Sequence, residues 1–186
     1  MDKVNHIQAD SCCAEREQKA MKEKPISFND EMVAAIIDGR KTQTRRPIKP
    51  RPDFHHWEEL PGYHFCPSVK DTIDGLHARF SHWLDDTEDE DKVQWIKFRY
   101  GNVGDHMCIG KTGITLEITD VRIEQLQDIT NADAIAEGCH VGPGAGNWRN
   151  ARHKFQDLWD SIYTKDRFGW GQRVYVWVIS FIVREK

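Results

Sequence analysis

The stretch "RVYVWVISFIV", Arg173 to Val183, constrains this chain more than any other. Side chains of a strand point alternately to opposite faces. Here both alternating sets are apolar: Val174, Val176 and Val178 on one parity, Trp177, Ile179 and Phe181 on the other. Such a strand has no face to offer to water, so it must be central and covered on both sides. A chain of 186 residues can build a core of that kind as one domain with some additions.

The other elements follow from caps and periods. "ISF", Ile26 to Phe28, reads as a short strand. Asn29 is an N-cap, Asp30 and Glu31 suit a first helical turn, and Met32, Ala35 and Ile36 form an apolar stripe closed by Gly39. Strand signals return over Val93–Tyr100 and after the turn "GNVGD". "GITLEITDVRIEQL" alternates Ile114, Leu116 and Ile118 against polar residues, the mark of a half-buried strand. Thr130 and Asp133 form a capping-box variant before a short helix ended by Gly138. Trp148, Ala151, Phe155, Leu158, Trp159 and Ile162 make one face of a longer helix. Strands without regular alternation with helices point to an α+β fold or a small mixed barrel with flanking helices. Residues 1–24 read as a polar N-terminal tail, in which Met21 is as eligible an initiator as Met1. The domain proper is expected over residues 25–186. Residues 47–92, rich in proline and aromatics and carrying the acid run "DDTEDED", read as a surface insertion.

Composition removes several function classes. A formal charge of -4 gives no bulk attraction to nucleic acid, so any such contact needs a local basic patch. The five cysteines are odd in number and form no CxxC, which argues for a reducing compartment. No apolar run approaches a membrane span and no apolar leader opens the chain, so a cytoplasmic protein without membrane contact is expected. His55, His56, His64 and Cys66 cluster, but their spacing matches no common zinc pattern. "GPGAG" lacks the Gly-Lys-Ser/Thr ending of a phosphate loop, and "GCH" is a Cys–His pair in sequence only. No metal and no cofactor is expected.

The decapeptide "DGRKTQTRRP", Asp38 to Pro47, packs four cations beside two threonines. A turn after Gly39 followed by an extended Thr42–Arg46 puts Thr42, Thr44 and Arg46 on one face and turns Arg45 away. The Lys41 amine can then swing back over Thr44. A basic, solvated hairpin accounts for the same residues equally well.

Gly39-x-Lys41-x-x-Thr44-x-Arg46 resembles the G-x-K-x-x-T-x-R signature of the ASCH (activating-signal-cointegrator-homology) domains of the PUA-like superfamily. "KPISFNDEMVAAIIDGRKTQTRR", "GNVGD", "EITDVRIEQLQDITNADAIAEG", "FQDLWDSIY" and "VWVISF" are similar to ASCH proteins common in bacteriophage and prophage genomes. The resemblance runs from about Lys24 to Glu185 and is weakest over the insertion. It implies a PUA-like small mixed β-barrel with peripheral helices and a cleft lined by the signature. Phage relatives follow the "GD" with an aromatic and an Arg-Glu pair, whereas this chain has "GDHMCIGKTG", so any contact made by that pair is either lost here or rebuilt with Lys111. The N(4)-acetylcytidine amidohydrolases of this group use a lysine and threonine of the signature and a later glutamate. The resemblance therefore implies a catalytic set of Lys41, Thr44 and Glu137, with Gly39, Arg45 and Arg46 at the substrate, and a modified nucleoside or RNA as partner. Its alternatives are an RNA-binding or RNA-cleaving module and a phage accessory protein that binds through the aromatic insertion.

Overall fold

The structure is a computed structural model that describes residues 23–52, 63–84, 87–88, 93–110, 112–140, 150–163 and 167–185. The N-terminal tail up to residue 22, His55, His56, Lys111, Gly142–Gly146, Trp148 and most of the acid run lie outside the described residues. So do the side chains of His64 and Cys66.

The described chain runs β1 (Glu23–Ile26), α1 (Asp30–Ile37), β2 (Gln43–Pro47), β3 (Tyr63–Thr72), β4 (Gly75–Leu84), β5 (Thr87–Glu88), β6 (Gln94–Lys97), β7 (His106–Ile109), β8 (Thr115–Gln125), α2 (Asn131–Ala136), α3 (Ala151–Tyr163) and β9 (Tyr175–Glu185). The first sheet has the order β1-β7-β8-β9-β2, which leaves β2 on its outer edge. The second is β3-β4-β5, with β6 also paired to β4.

Strand β9 organises the molecule as its two apolar faces demand. Trp177, Ile179 and Phe181 enter a core shared with Ile36, Met107, Leu116 and Ile118. Val176 and Val178 enter a second core with Leu126, Ile129, Phe155 and Trp159. One strand therefore serves two hydrophobic clusters, one on each side of the sheet.

The architecture is α+β, as expected, but the sheets are not closed into a barrel. Among the described residues no strand pair joins the first sheet to the second. The segment read as a surface insertion is also more than that. Strands β3 and β4 pair over their full length, from Tyr63↔Leu84 to Thr72↔Gly75. Leu76, Ala78 and Phe80 on β4 are buried in the first core, and Phe80 meets Tyr175 of β9 edge-on at 5.7 Å.

Two further expectations shift. The first strand is Glu23–Ile26 rather than Ile26–Phe28, because its parallel partner β7 ends at Ile109, opposite Ile26. Ile162 was placed on the buried stripe of α3, yet it is 47% exposed. Ala151, Phe155 and Trp159 fill the second core, while the last turn opens onto a groove.

The caps are those the sequence specifies. Asn29 Oδ1 accepts from Met32 N–H at 2.8 Å, and Thr130 and Asp133 make a reciprocal capping box.

Candidate functional site

Helix α1 is capped by Asp38, and Gly39 takes φ 71°, a left-handed value that glycine adopts without steric cost. The N–H groups of Arg40 and Lys41 then both donate to Ala35 O at 2.9 Å, which turns the chain into β2. Helix α2 arrives at the same place from the other end of the domain. Its C-cap is Glu137, and Thr42 N–H donates to Ala136 O at 2.9 Å. Lys41 and Glu137 thus form a bridge between segments far apart in sequence.

Because β2 is an outer strand among the described residues, the Gln43 carbonyl has no described strand neighbour on that side. Lys41 Nζ supplies the missing donor at 2.9 Å. The same nitrogen donates to Glu137 O at 2.9 Å and to Glu137 Oε2 at 2.8 Å. An ammonium has three hydrogens to donate, and here each has an acceptor. The pair is sealed, with side-chain exposures of 0% for Lys41 and 4% for Glu137.

The other carboxylate oxygen, Glu137 Oε1, takes a hydrogen bond from Arg45 Nη1 at 3.2 Å. Arg45 also donates to Gln43 Oε1 at 2.7 Å and to Glu124 Oε2 at 2.7 Å, with Asp133 Oδ2 at 3.7 Å. Arg122 closes the network against Glu124 at 2.6 Å and Asp133 at 3.1 Å. Lys41, Arg45 and Arg122 therefore face Glu137, Glu124 and Asp133, and Arg122 also lies 3.6 Å from Asp120. Burial alone would raise the Asp133 carboxyl, but the Thr130 hydroxyl and the Arg45 and Arg122 guanidinium groups hold it below its ordinary value. The Arg45 Nε is buried and has no partner among the described residues.

The alternation expected for β2 is present. Thr44 lies opposite Ile179 and Arg46 opposite Trp177, on the side of the first core, while Arg45 lies opposite Val178 on the other side. Two placements differ from expectation. The hydrogen bonds of Lys41 run to the Gln43 carbonyl and to Glu137 along the edge of β2, and none to Thr44 is present among the described residues. Arg45, expected at the substrate, is fully buried and committed to carboxylates. Thr44 is buried at 2% exposure. Arg46 is half-buried, donates to Ser27 O at 2.6 Å and lies 5.0 Å from the centroid of Phe28. Lys41 Nζ approaches the same ring at 5.6 Å. Phe28 is therefore the side chain shared by the buried pair and the accessible cation.

Beyond Phe28 lies a groove of about 450 Å³ whose walls include Arg46, Arg99, Tyr100, Ile162 and Tyr163. It continues into a recess of about 120 Å³ beside Lys49, Lys97 and Trp177. Arg99, Tyr100 and Tyr163 were not foreseen at the site; the alternation of cations and rings in "WIKFRYG" was the available signal. A second cleft, of about 380 Å³, lies across α1 and reaches Glu137, Gly138 and Cys139. Gly138 is required there. Its φ is 91°, and a Cβ would sit 3.4 Å from Ala35 Cβ and 3.5 Å from Lys41 Cβ.

The Cys139 thiol is held away from the thiolate form that a nucleophile needs. Burial, followed by the charge of Glu137, pushes the Cys139 thiol up to about 11. Among the described residues no three His, Cys, Asp or Glu side chains converge to hold a metal, and no helix is long and apolar enough to cross a membrane.

Among solved structures, the chain is similar to an ASCH domain from Lactobacillus crispatus JV V101, at 14% identity and TM-score 0.45, over 87% of this chain and 79% of that one. No model of a known protein family matches the chain. No curated protein sequence matches it either.

Proposed function

We propose that the protein hydrolyses the amide of an acylated nucleoside of the N(4)-acetylcytidine type, with Lys41, Thr44 and Glu137 as the reacting groups. The observation that carries this reading is the buried 2.8 Å contact between Lys41 and Glu137, separated from the Arg46 groove by Phe28. A lysine that donates three hydrogen bonds is not a base. It becomes one when a proton passes along that contact to Glu137, turning an ion pair into an amine and a carboxylic acid.

The steps then balance. The Lys41 amine must first leave the Gln43 carbonyl and turn toward Thr44, where it takes the hydroxyl proton as the oxygen attacks the acyl carbon. The C–N bond breaks, and the Glu137 acid gives its proton to the leaving amine of the base. Water cleaves the acyl–threonine ester and restores all three groups. Arg46 binds the nucleoside at the wall of the groove, where Tyr100 and Tyr163 offer rings to a base. Arg45 fixes the carboxylate from behind. Phe28 covers Lys41 and must move for the acyl group to enter.

The test is incubation with N(4)-acetylcytidine, followed by chromatography for cytidine. Release that vanishes in Thr44→Val carries the reading; no release from the wild type ends it. The second reading is an RNA-binding module without turnover, which the run of Arg46, Arg99, Tyr100 and Tyr163 along one groove favours. In that case RNA binds the wild type, and Arg46→Ala weakens it, while no amide is cleaved.

A further inference from the structure

The groove beside Arg46 and the recess that continues it share four wall residues, Arg46, Arg99, Tyr100 and Tyr163. The recess adds Lys49 and Lys97, with Pro47 and Trp177. Its described lining therefore carries four cations, and neither hollow has a carboxylate among its described lining residues. The chain as a whole has 30 acids against 26 lysines and arginines, so this corner departs from the rest. Acids do stand next door. Lys97 and Arg99 also border a cleft with Asp74 and Asp105. Asp105 Oδ2 accepts from Asn102 N–H at 2.8 Å inside its own turn, and Asp74 sits in the turn between β3 and β4. Arg46 and Lys49 are not part of that cleft, so Asp74 and Asp105 leave their charges to the recess.

The two hollows fit different chemical groups. At the shared wall, Tyr100 is held edge-on by Phe98 at 5.5 Å, and Phe98 lies 4.8 Å from Trp177. Tyr163 lies 4.4 Å from Trp159 of the second core. Buried aromatics thus fix both rings, which suits a flat base. The recess of about 120 Å³ has room for about four waters at ~30 Å³ each. That admits a phosphate group and excludes a second base. A phosphate monoester carries about -1.5 to -2 charges near neutral pH and three strong acceptor oxygens. A carboxylate brings a single charge, which four cations overmatch. Arginine also suits phosphate by geometry, since its planar fork meets two oxygens at once. Arg46 is preset for this. Its Nη2 donates to Ser27 O at 2.6 Å, and its guanidinium stands 5.0 Å from the centroid of Phe28. Arginine has five N–H donors, so one bond to Ser27 leaves others for an anion.

We propose that the ligand of this groove is a nucleotide rather than a free nucleoside. Its base lies against Tyr100 and Tyr163, and its terminal phosphate monoester enters the recess, met by Arg46, Lys49, Lys97 and Arg99. The assignment rests on a nucleoside occupying the groove, as proposed above, and not on any bond being cleaved there.

The test is isothermal titration of the wild type at low salt with four ligands: cytidine, its 5′-monophosphate, its 3′-monophosphate and the diester cytidylyl-(3′→5′)-cytidine. None carries an acyl group, so binding is read without turnover. At least one monoester should bind about 10-fold or more tighter than cytidine, the low end for a hydrogen bond to a charged group. Which monoester wins shows where on the sugar the phosphate sits; either supports the recess. Lys49 borders the recess and not the groove. Lys49→Gln should therefore cut the preference about 10-fold by weakening the monoester alone. Equal affinities for cytidine and both monoesters overturn the proposal, as does no binding of any of the four. Tighter binding of the diester than of either monoester overturns it too, because the recess then takes a backbone phosphate. So does a preference that survives both Lys49→Gln and Lys97→Gln, in variants whose circular dichroism matches the wild type. If N(4)-acetylcytidine is hydrolysed but a phosphate adds no affinity, only the nucleotide assignment fails. If a monoester is preferred and no amide is cleaved, only the hydrolytic reading fails.

Discussion

Lys41 and Glu137 are 96 positions apart and meet at 2.8 Å, with the lysine nitrogen also on the glutamate's own carbonyl. The contact ties the edge of the first sheet to the end of α2, so it has a structural consequence independent of any chemistry. Glu137 answers two buried cations, Lys41 and Arg45, whereas Lys41 answers one carboxylate. Removing one member of a buried pair costs roughly 3–5 kcal/mol, because the other charge is left without compensation. Glu137→Gln should therefore destabilise more than Lys41→Met, since the methionine variant leaves Glu137 paired with Arg45. The double variant should cost less than the sum of the two. Urea denaturation of the three proteins measures the order, and a larger loss for Lys41→Met would contradict it.

Gly138 tests how tightly that corner is packed. Alanine there must adopt φ 91° and bring a methyl against Ala35 and Lys41. A left-handed backbone costs an alanine roughly 1–2 kcal/mol before the contact is counted. In a domain of this size a loss of that order lowers the midpoint of thermal unfolding by about 2–8 °C. An unchanged midpoint would mean that α2 can move away from β2 at little cost.

Cys139 gives a pH dependence with a definite sign. Its thiol is pushed up to about 11, above its value in the unfolded chain. The folded state therefore holds the proton more tightly, and the associated stability is complete below the unfolded thiol's range of about 8.5–9. It is lost as pH rises from there toward 11. Wild-type protein should lose stability over that window more steeply than Cys139→Ala, when urea midpoints are compared at pH 8 and pH 10.5. Mass spectrometry after alkylation at pH 8 should find Cys139 protected and the half-exposed Cys108 modified.

Much of this was legible in the chain. The bounds of α1, the Thr130–Asp133 capping box and the two-sided burial of β9 all follow from local caps and from period two. The hairpin β3–β4 was hidden by composition: Pro67 lies within β3, opposite Phe80, and proline usually argues against a paired strand. Yet "GLHARFSH" alternates Leu76, Ala78 and Phe80 with His77, Arg79 and Ser81, a period that marks β4. The alternation of Thr44, Arg45 and Arg46 was readable for the same reason. What could not be read was the position of β2 at a sheet edge. That position decides that Lys41 lies along Gln43 rather than over Thr44, and it depends on strand order, which no local pattern encodes. The meeting of Glu137 with Lys41 likewise came from resemblance and not from spacing.

The two cores on β9 predict a strong and specific effect. Val178 is completely buried and sits in the second cluster, opposite Arg45. Val178→Asp places a carboxylate among Phe155, Leu126 and Val176 at a cost of several kcal/mol. The protein should fail to fold, as read by circular dichroism and solubility. A folded variant would mean that Arg45 has turned to pair with the new charge, which a shift of Glu124 and Glu137 in a crystal structure would reveal.

The last prediction separates the two faces of β2. Arg46 borders the groove, and Arg45 is sealed among carboxylates on the opposite side. If the protein hydrolyses an acylated nucleoside, Thr44→Val should lower turnover by at least ~100-fold, the low end for loss of a catalytic group. Valine keeps the shape of threonine, so the fold should survive. Arg46→Ala should raise KM more than it lowers kcat, because it removes a contact made equally to substrate and transition state. Arg45→Ala should instead lower stability, by leaving three carboxylates undercompensated. Should turnover be absent and RNA bind, Arg46→Ala should weaken binding and flatten its salt dependence by about 0.7. Equal and direct losses of RNA affinity at Arg45 and Arg46, in variants of unchanged stability, would mean that Arg45 reaches the ligand after all and that the carboxylate network opens on binding.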